Sequence, residues 1–246
     1  MLFTTRPPGV GAARGGRRRG GRALRALSTL LIVLGALALI DAAVTLVWQE
    51  PLSALYAKFE QDHLKSALRG IERAQPDAAE RAQLMRLSEE RRIAFLARRL
   101  QRHAEPGTPV GSIRIPRIDA DFVVIDGTGT SELEKGPGVY PETRFPGLGS
   151  TTAIAGHRTT WLAPFRRINE LRRGDHIQLD MPYAHFLYTV TGQRVVEPSD
   201  VRAATTQVGY SRLVLSACTP LFSAAKRILI YARLASAVPV GAALRT

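Results

Sequence analysis

Residues 212–234 read RLVLSACTPLFSAAKRILIYARL. Two short apolar runs, Leu213–Ala217 and Ile228–Tyr231, flank a loop, Thr219–Lys226, that carries Pro220. Short runs of this kind, bounded by turn residues, predict strands. A loop this short predicts that they lie side by side. Cys218 then closes one strand, and Arg227 opens the next.

The same texture extends outward from this pair. Apolar runs alternate with turn residues at Ser112–Ile118, Phe122–Ile125, Thr151–Ala155, His176–Asp180, Phe186–Thr191, Arg194–Val196, Arg212–Ala217 and Arg227–Leu234. Eight strand candidates at this spacing predict an all-β barrel or sandwich over residues 107–246. No internal repeat is visible.

The 246-residue chain is 45% hydrophobic and 22% charged, enough to bury a core and unlike a disordered polymer. Its net charge of +13 is unevenly spread. Residues 1–25 hold seven arginines and no acidic residue, so more than half of the excess sits on this tail. The remainder has no dense Lys/Arg stripe, which argues against nucleic acid as a partner. The single cysteine excludes a disulfide framework and a Cys-rich zinc site.

From Ala26 to Val47 the chain is apolar except for Asp41. As a helix this segment measures roughly 33 Å, enough to cross a bilayer core of about 30 Å. Asp41 falls in its last third, and Trp48 stands where an interfacial aromatic belongs. The run is long for a cleaved signal peptide. We read residues 26–48 as a transmembrane helix. The arginine-rich residues 1–25 are then a disordered cytoplasmic tail, and the part of the chain after residue 48 lies outside the cell.

Residues 49–106 read as a helical stalk and linker. Leu55, Phe59, Leu64, Leu68 and Ile71 recur at helical spacing; Pro76 breaks the pattern, and Asp77 caps a second helix carrying Leu84, Leu87, Ile93, Phe95, Leu96 and Leu100. The charges between them predict a solvated stalk, with no sustained heptad. Residues 105–109, EPGTP, mark the domain boundary.

Cys218 is the first candidate for chemistry. A free cysteine is often a small buried hydrophobe. An unpaired thiol in an exported domain is instead a reactive-thiol candidate. A nucleophilic cysteine needs a proton partner and a group for the oxyanion. Of the five histidines, His63 and His103 fall on the stalk, and His176 and His185 fall in strand patterns. His157 follows the small-residue run Thr151–Ala155 and Gly156, so it can project from a strand end as general acid or base. Arg227 offers a permanently charged guanidinium to a developing oxyanion.

Ala155-Gly156-His157-Arg158, Leu215-Ser216-Ala217-Cys218-Thr219-Pro220 and Lys226-Arg227, in this order, resemble a sortase. Ile113–Ile118 and Leu133–Pro141 resemble flanking segments of that family. The stretch His157–Phe165, with Leu171–Asp175 after it, looks most like class E sortases of actinobacteria. The resemblance covers roughly residues 110–235. It implies a closed eight-stranded β-barrel and a cysteine transpeptidase that needs no metal or cofactor. Cys218 would attack the Thr–Gly bond of an LPXTG-like or LAXTG-like signal near the C-terminus of exported proteins. His157 would move the protons, and Arg227 would hold the substrate backbone and oxyanion. Ala217, Thr219 and Trp161 would adjoin the bound signal. The thioester would pass to an amine on a cell-wall precursor or a pilin.

Ala217 departs from the threonine common before the nucleophile. Thr219 and Trp161 also depart from residues frequent in class E. Residues 104–112 lack the Asp-Pro-aromatic signature of a pilin-type lid, which favours protein attachment over pilus polymerisation. Two rivals stand beside this reading. An L,D-transpeptidase also uses Cys, His and Arg, but its Ser-x-Gly-Cys-Arg pattern is missing. A catalytically silent, membrane-tethered barrel that binds envelope peptides or polymers would tolerate Cys218→Ala.

Overall fold

The computed structural model describes residues 17–47, 51–74 and 76–244. The chain divides into two compact units, Met1–Trp48 and Gln49–Thr246.

The first unit contains helix α1 (Arg17–Val47). Its stretch Leu24–Ala43 is 20 residues long, apolar and unburied, so by length and composition it can cross a bilayer. The helix begins at Arg17, so residues 17–25, expected in a disordered tail, are helical instead. Arg, Ala and Leu are good helix formers, and extending an existing helix costs far less than starting one. The rest of the tail and Trp48 lie outside the described residues.

The second unit begins with α2 (Pro51–Arg73), α3 (Ala78–Met85) and α4 (Glu89–His103). Asp77 caps α3 as expected: its carboxylate accepts from the Glu80 N–H at 2.7 Å, and Glu80 reaches back to the Asp77 N–H at 3.3 Å. A second break, which the periodicity did not reveal, separates α3 from α4 at Ser88, the N-cap of a helix that opens on Glu89 and Glu90.

The solvated stalk is corrected by the packing. Ile93, Leu96 and Ala97 of α4 are buried in the main core beside barrel residues such as Phe186 and Ile113. Leu64 and Leu68 of α2 bury against Val123 and Ile125. Gln61, 4% exposed, accepts from the Val123 N–H at 2.8 Å and donates to the Lys135 carbonyl at 2.8 Å. One apolar stripe on each helix is thus spent on the barrel, and only the opposite faces meet water.

Eight strands form the closed barrel: β1 (Pro109–Ile115), β2 (Ala120–Asp126), β3 (Gly138–Val139), β4 (Thr151–Ala155), β5 (His176–Met181), β6 (Ala184–Val196), β7 (Arg212–Thr219) and β8 (Lys226–Pro239). Their order around the barrel is β1-β2-β3-β4-β7-β8-β6-β5. The pairs β2–β3 and β4–β7 are parallel; the others are antiparallel. Closure leaves no free sheet edge.

The expected number of strands is observed, but two of the assignments differ. Phe186–Thr191 and Arg194–Val196 are one long strand, β6, whose register shifts between Val190 and Gly192. Gly192 marks a bulge there and not a turn. The strand that restores the count is β3, only two residues long. β1 also ends sooner than expected, at Ile115, where Pro116 starts a single 3-10 turn.

β4 and β7 are central. Every residue of β4 is buried, and along β7 so are Leu213 through Ala217. Leu213, Leu215 and Ala217 join the barrel core. Val214 faces a second cluster with Ala153, Val196, Ala204 and Leu229. Burial on both faces explains the nearly continuous apolar runs in their sequences.

Candidate active site

The two central strands end at the same rim. β4 and β7 run parallel, with Ala155 beside Ser216, and the Gly156 N–H donates to the Ser216 carbonyl at 3.0 Å. Continuing this register by two residues brings His157 level with Cys218. Cys218 pairs directly with Arg227 across the antiparallel β7–β8 ladder. Side chains directly opposite in such a ladder share a face, with Cβ atoms about 5 Å apart. Cys218 therefore stands on the middle one of three adjacent strand ends, with His157 on one side and Arg227 on the other.

Gly156 is required by its surroundings. A Cβ built there would meet the Phe165 ring at 2.6 Å, and Phe165 is fully buried. The Phe165 N–H also donates to the His157 carbonyl at 3.0 Å, which folds the following loop back beneath the histidine. Gly156→Ala is expected to destabilise the fold by about 1–3 kcal/mol through overpacking, measured as a lower thermal midpoint.

His157 is half-buried, and its Nε2 has no hydrogen-bond partner. Burial lowers its pKa below the ordinary 6.5, while the nearby Glu134 carboxylate pulls the other way. The folded state therefore favours the neutral ring. The stability this contributes is complete above pH 6.5 and is lost as the pH falls below it. Removing the Glu134 charge lowers the His157 pKa further. Glu134→Gln should move the limb of the pH–rate profile that reports the imidazolium to lower pH. An unmoved limb would show that another group titrates there.

Arg227 donates from Nη1 to the carbonyls of Ala224 at 3.0 Å and Lys226 at 3.2 Å. These bonds anchor one arm of the guanidinium to its own loop. Cys218 is partly exposed and lines a cavity of about 190 Å³ together with Arg158, Thr159, Pro220, Phe222, Ser223 and Ala224. Phe222 lies under the Arg166 guanidinium, 5.8 Å from ring centre to Cζ, so the loops after β4 and β7 meet beside this cavity.

A sortase-domain family model matches residues 113–235, half of the chain. This chain belongs to the sortase family. Sortases are cysteine transpeptidases. Among its relatives, sortase D of Bacillus subtilis is 33% identical over 52% of this chain, and sortase SrtE1 of Streptomyces coelicolor is 29% identical over 55%. The chain spans 65% of the first and 43% of the second. Among solved structures, sortase E1 of S. coelicolor with a tripeptide in its active site matches with a TM-score of 0.52 at 26% identity. It covers 55% of this chain and 93% of the other. Sortase E of Streptomyces avermitilis matches at 0.50 and 32% identity, covering 57% and 99%. Class E likeness is therefore supported alongside class D.

The remaining residues singled out in this sortase fall in different places. Ala217 is 3% exposed and faces the barrel core, because it alternates with Cys218 along β7. The residue expected to adjoin substrate is thus buried in the core wall directly before the nucleophile. Thr219 lies at the rim, and its hydroxyl accepts from Arg158 at 3.0 Å. Trp161, Leu162 and Ala163 all have left-handed backbone angles, with φ of 53°, 62° and 41°. Three such residues in a row form a strained turn in the loop after the histidine. Trp161 meets Tyr56 of α2 edge to face, ring centres 5.7 Å apart. His63, His103, His176 and His185 are exposed on α2, α4, β5 and β6.

Sequence reasoning missed Tyr56, Glu134 and Arg158. The first belongs to the presumed stalk, and the second owes its importance to electrostatics across the fold. Arg158 had a visible signal, since it stands directly after His157.

Proposed function

We propose that this chain is a membrane-anchored transpeptidase acting on exported proteins with a C-terminal LPXTG-like or LAXTG-like sorting signal. The observation that supports this reading is that Cys218 pairs with Arg227 across β7–β8, while β4, which ends two residues before His157, runs parallel beside β7. His157 takes the Cys218 thiol proton, Sγ attacks the threonine carbonyl carbon of the Thr–Gly bond, and the resulting oxyanion is held by Arg227. As the tetrahedral intermediate collapses, the C–N bond breaks. His157 gives a proton to the departing glycine amine. The acyl group remains as a thioester on Cys218. An incoming amine attacks it, His157 takes the amine's proton, and the thiolate leaves. The acceptor is an amine on a cell-wall precursor or a pilin.

The apolar helix α1 serves as the anchor in this reading. Arginines at the N-terminal side of its apolar stretch keep the N-terminus in the cytoplasm and place the barrel outside, where its substrates are. A tripeptide occupies the active site of the related sortase E1, in keeping with a peptide ligand here.

The test is a transfer reaction. The full chain in detergent micelles is incubated with LPXTG-like and LAXTG-like peptides and triglycine. The expected product is the peptide cut after threonine and extended by triglycine. Cleavage without transfer under any amine would identify a hydrolase instead. Peptide binding without cleavage would identify a silent binding barrel.

A further inference from the structure

We propose that Arg158 is a positioning residue for the nucleophile, with a role separate from that of Arg227. This rests on the reading of Cys218 as the attacking group. Arg158 is 7% exposed, and each of its three guanidinium nitrogens donates a hydrogen bond. Nη1 donates to the Cys218 carbonyl at 3.3 Å and to the Thr219 hydroxyl at 3.0 Å. Nη2 donates to Asn169 Oδ1 at 2.6 Å, and Nε donates to the Arg166 carbonyl at 3.1 Å.

These bonds join two separate parts of the rim. Arg166 and Asn169 belong to the connection after β4, which also carries His157. Cys218 and Thr219 end β7. One planar group thus fixes the end of the nucleophile strand against the loop that carries the base. A guanidinium suits this task because its donors diverge in a rigid plane, which a lysine cannot reproduce. The β4–β7 ladder ends at Ala155 beside Ser216, with Gly156 N–H donating to the Ser216 carbonyl, and Arg158 adds a side-chain tie beyond that last pair.

All four acceptors are uncharged oxygens, and no carboxylate pairs with Arg158 among the described residues. A cation kept from water without a counterion is expensive, so its placement here needs a reason. Burial and the neighbouring Arg166 lower the Arg158 pKa, and Cys218 acts in the opposite sense. The sulfur, anionic just before it attacks and again when the thioester is resolved, is the charge that would compensate it. Arg158 also lines the same cavity as Cys218. Its position and its charge therefore both act on the nucleophile without its touching the scissile bond.

The experiment compares Arg158→Gln, Arg158→Lys and Asn169→Ala in the full chain. Because Cys218 is the only cysteine, iodoacetamide alkylation at pH 7 reads thiolate reactivity at one atom. Single-turnover acylation by a cleavable peptide reads alignment, and circular dichroism reads folding. Arg158→Gln is expected to slow alkylation about tenfold and acylation about 100-fold, with KM changed less than about twofold. Arg158→Lys restores the charge, so alkylation returns to within about threefold while acylation stays about tenfold slow. Asn169→Ala keeps the charge and lowers acylation alone, by about fivefold.

Wild-type alkylation and acylation in folded Arg158→Gln would overturn the proposal while leaving transpeptidation intact. If Arg158→Gln does not fold, the other two variants decide: unchanged acylation in both overturns the proposal. If no peptide acylates the wild-type protein, the alkylation ratios still test Arg158, and only the functional reading fails.

Discussion

Cys218→Ala is expected to abolish transfer and to leave no acyl-enzyme. Removing the nucleophile of a catalytic unit costs on the order of 10⁶ in kcat, because the remaining groups no longer act together. In this barrel no other thiol can substitute, since the chain has one cysteine. The fold should survive. Cys218 is only partly buried at the end of β7, and losing one sulfur from such a position costs about 1 kcal/mol or less. Arg227, Arg158 and the cavity remain, so peptide binding should persist within a few-fold. The measurement is turnover and peptide affinity on the same preparation. Undiminished turnover would remove Cys218 from the chemistry, and with it the proposed reaction.

His157→Ala is expected to reduce kcat by about 10²–10⁴ while the thiol stays open to alkylation. The loss has a specific origin. A peptide amine is a very poor leaving group unless it is protonated as the C–N bond breaks. His157 is the histidine that follows β4 two residues beyond its last pair with β7, Ala155 beside Ser216. The other four are exposed on surfaces outside this rim. A thioester substrate, whose leaving group needs no proton, should therefore be much less sensitive to the substitution than a peptide. Equal sensitivity of the two substrates would assign His157 a structural role.

Much of this architecture was legible because the barrel strands are short, apolar and separated by turn residues. Cys218 and Arg227 were readable as neighbours because only a short loop separates their strands. The errors have physical causes. β3 has two residues, too few for any periodicity to register. β6 was divided at Gly192 because glycine signals both turns and bulges, and only the β8 partner distinguishes them. The helical segment was read as solvated because charges stand between its apolar residues throughout. Yet Leu64, Leu68, Ile93 and Leu96 form narrow stripes, which suffice once a barrel wall is there to receive them.

The site was legible by residue type and order, and less so by contact. Ala217 adjoins the nucleophile in sequence but points away from it, which follows from strand alternation once β7 is known to include both residues. Tyr56 reaches Trp161 across about a hundred residues of sequence, and no local pattern announces that contact. Arg158 looked like a neighbour of His157. Its hydrogen bonds to Cys218 and Thr219 arise from the parallel pairing of strands about sixty residues apart, which a single sequence does not display.

The measurement that bears most directly on the central claim is the intact mass of the protein after brief mixing with a cleavable signal peptide and no amine. Acylation predicts a mass increase equal to the peptide fragment ending in threonine, located on Cys218 by digestion. Adding triglycine should restore the original mass and release the extended peptide. An unmodified protein during active turnover, or an adduct on any residue other than Cys218, would contradict the account.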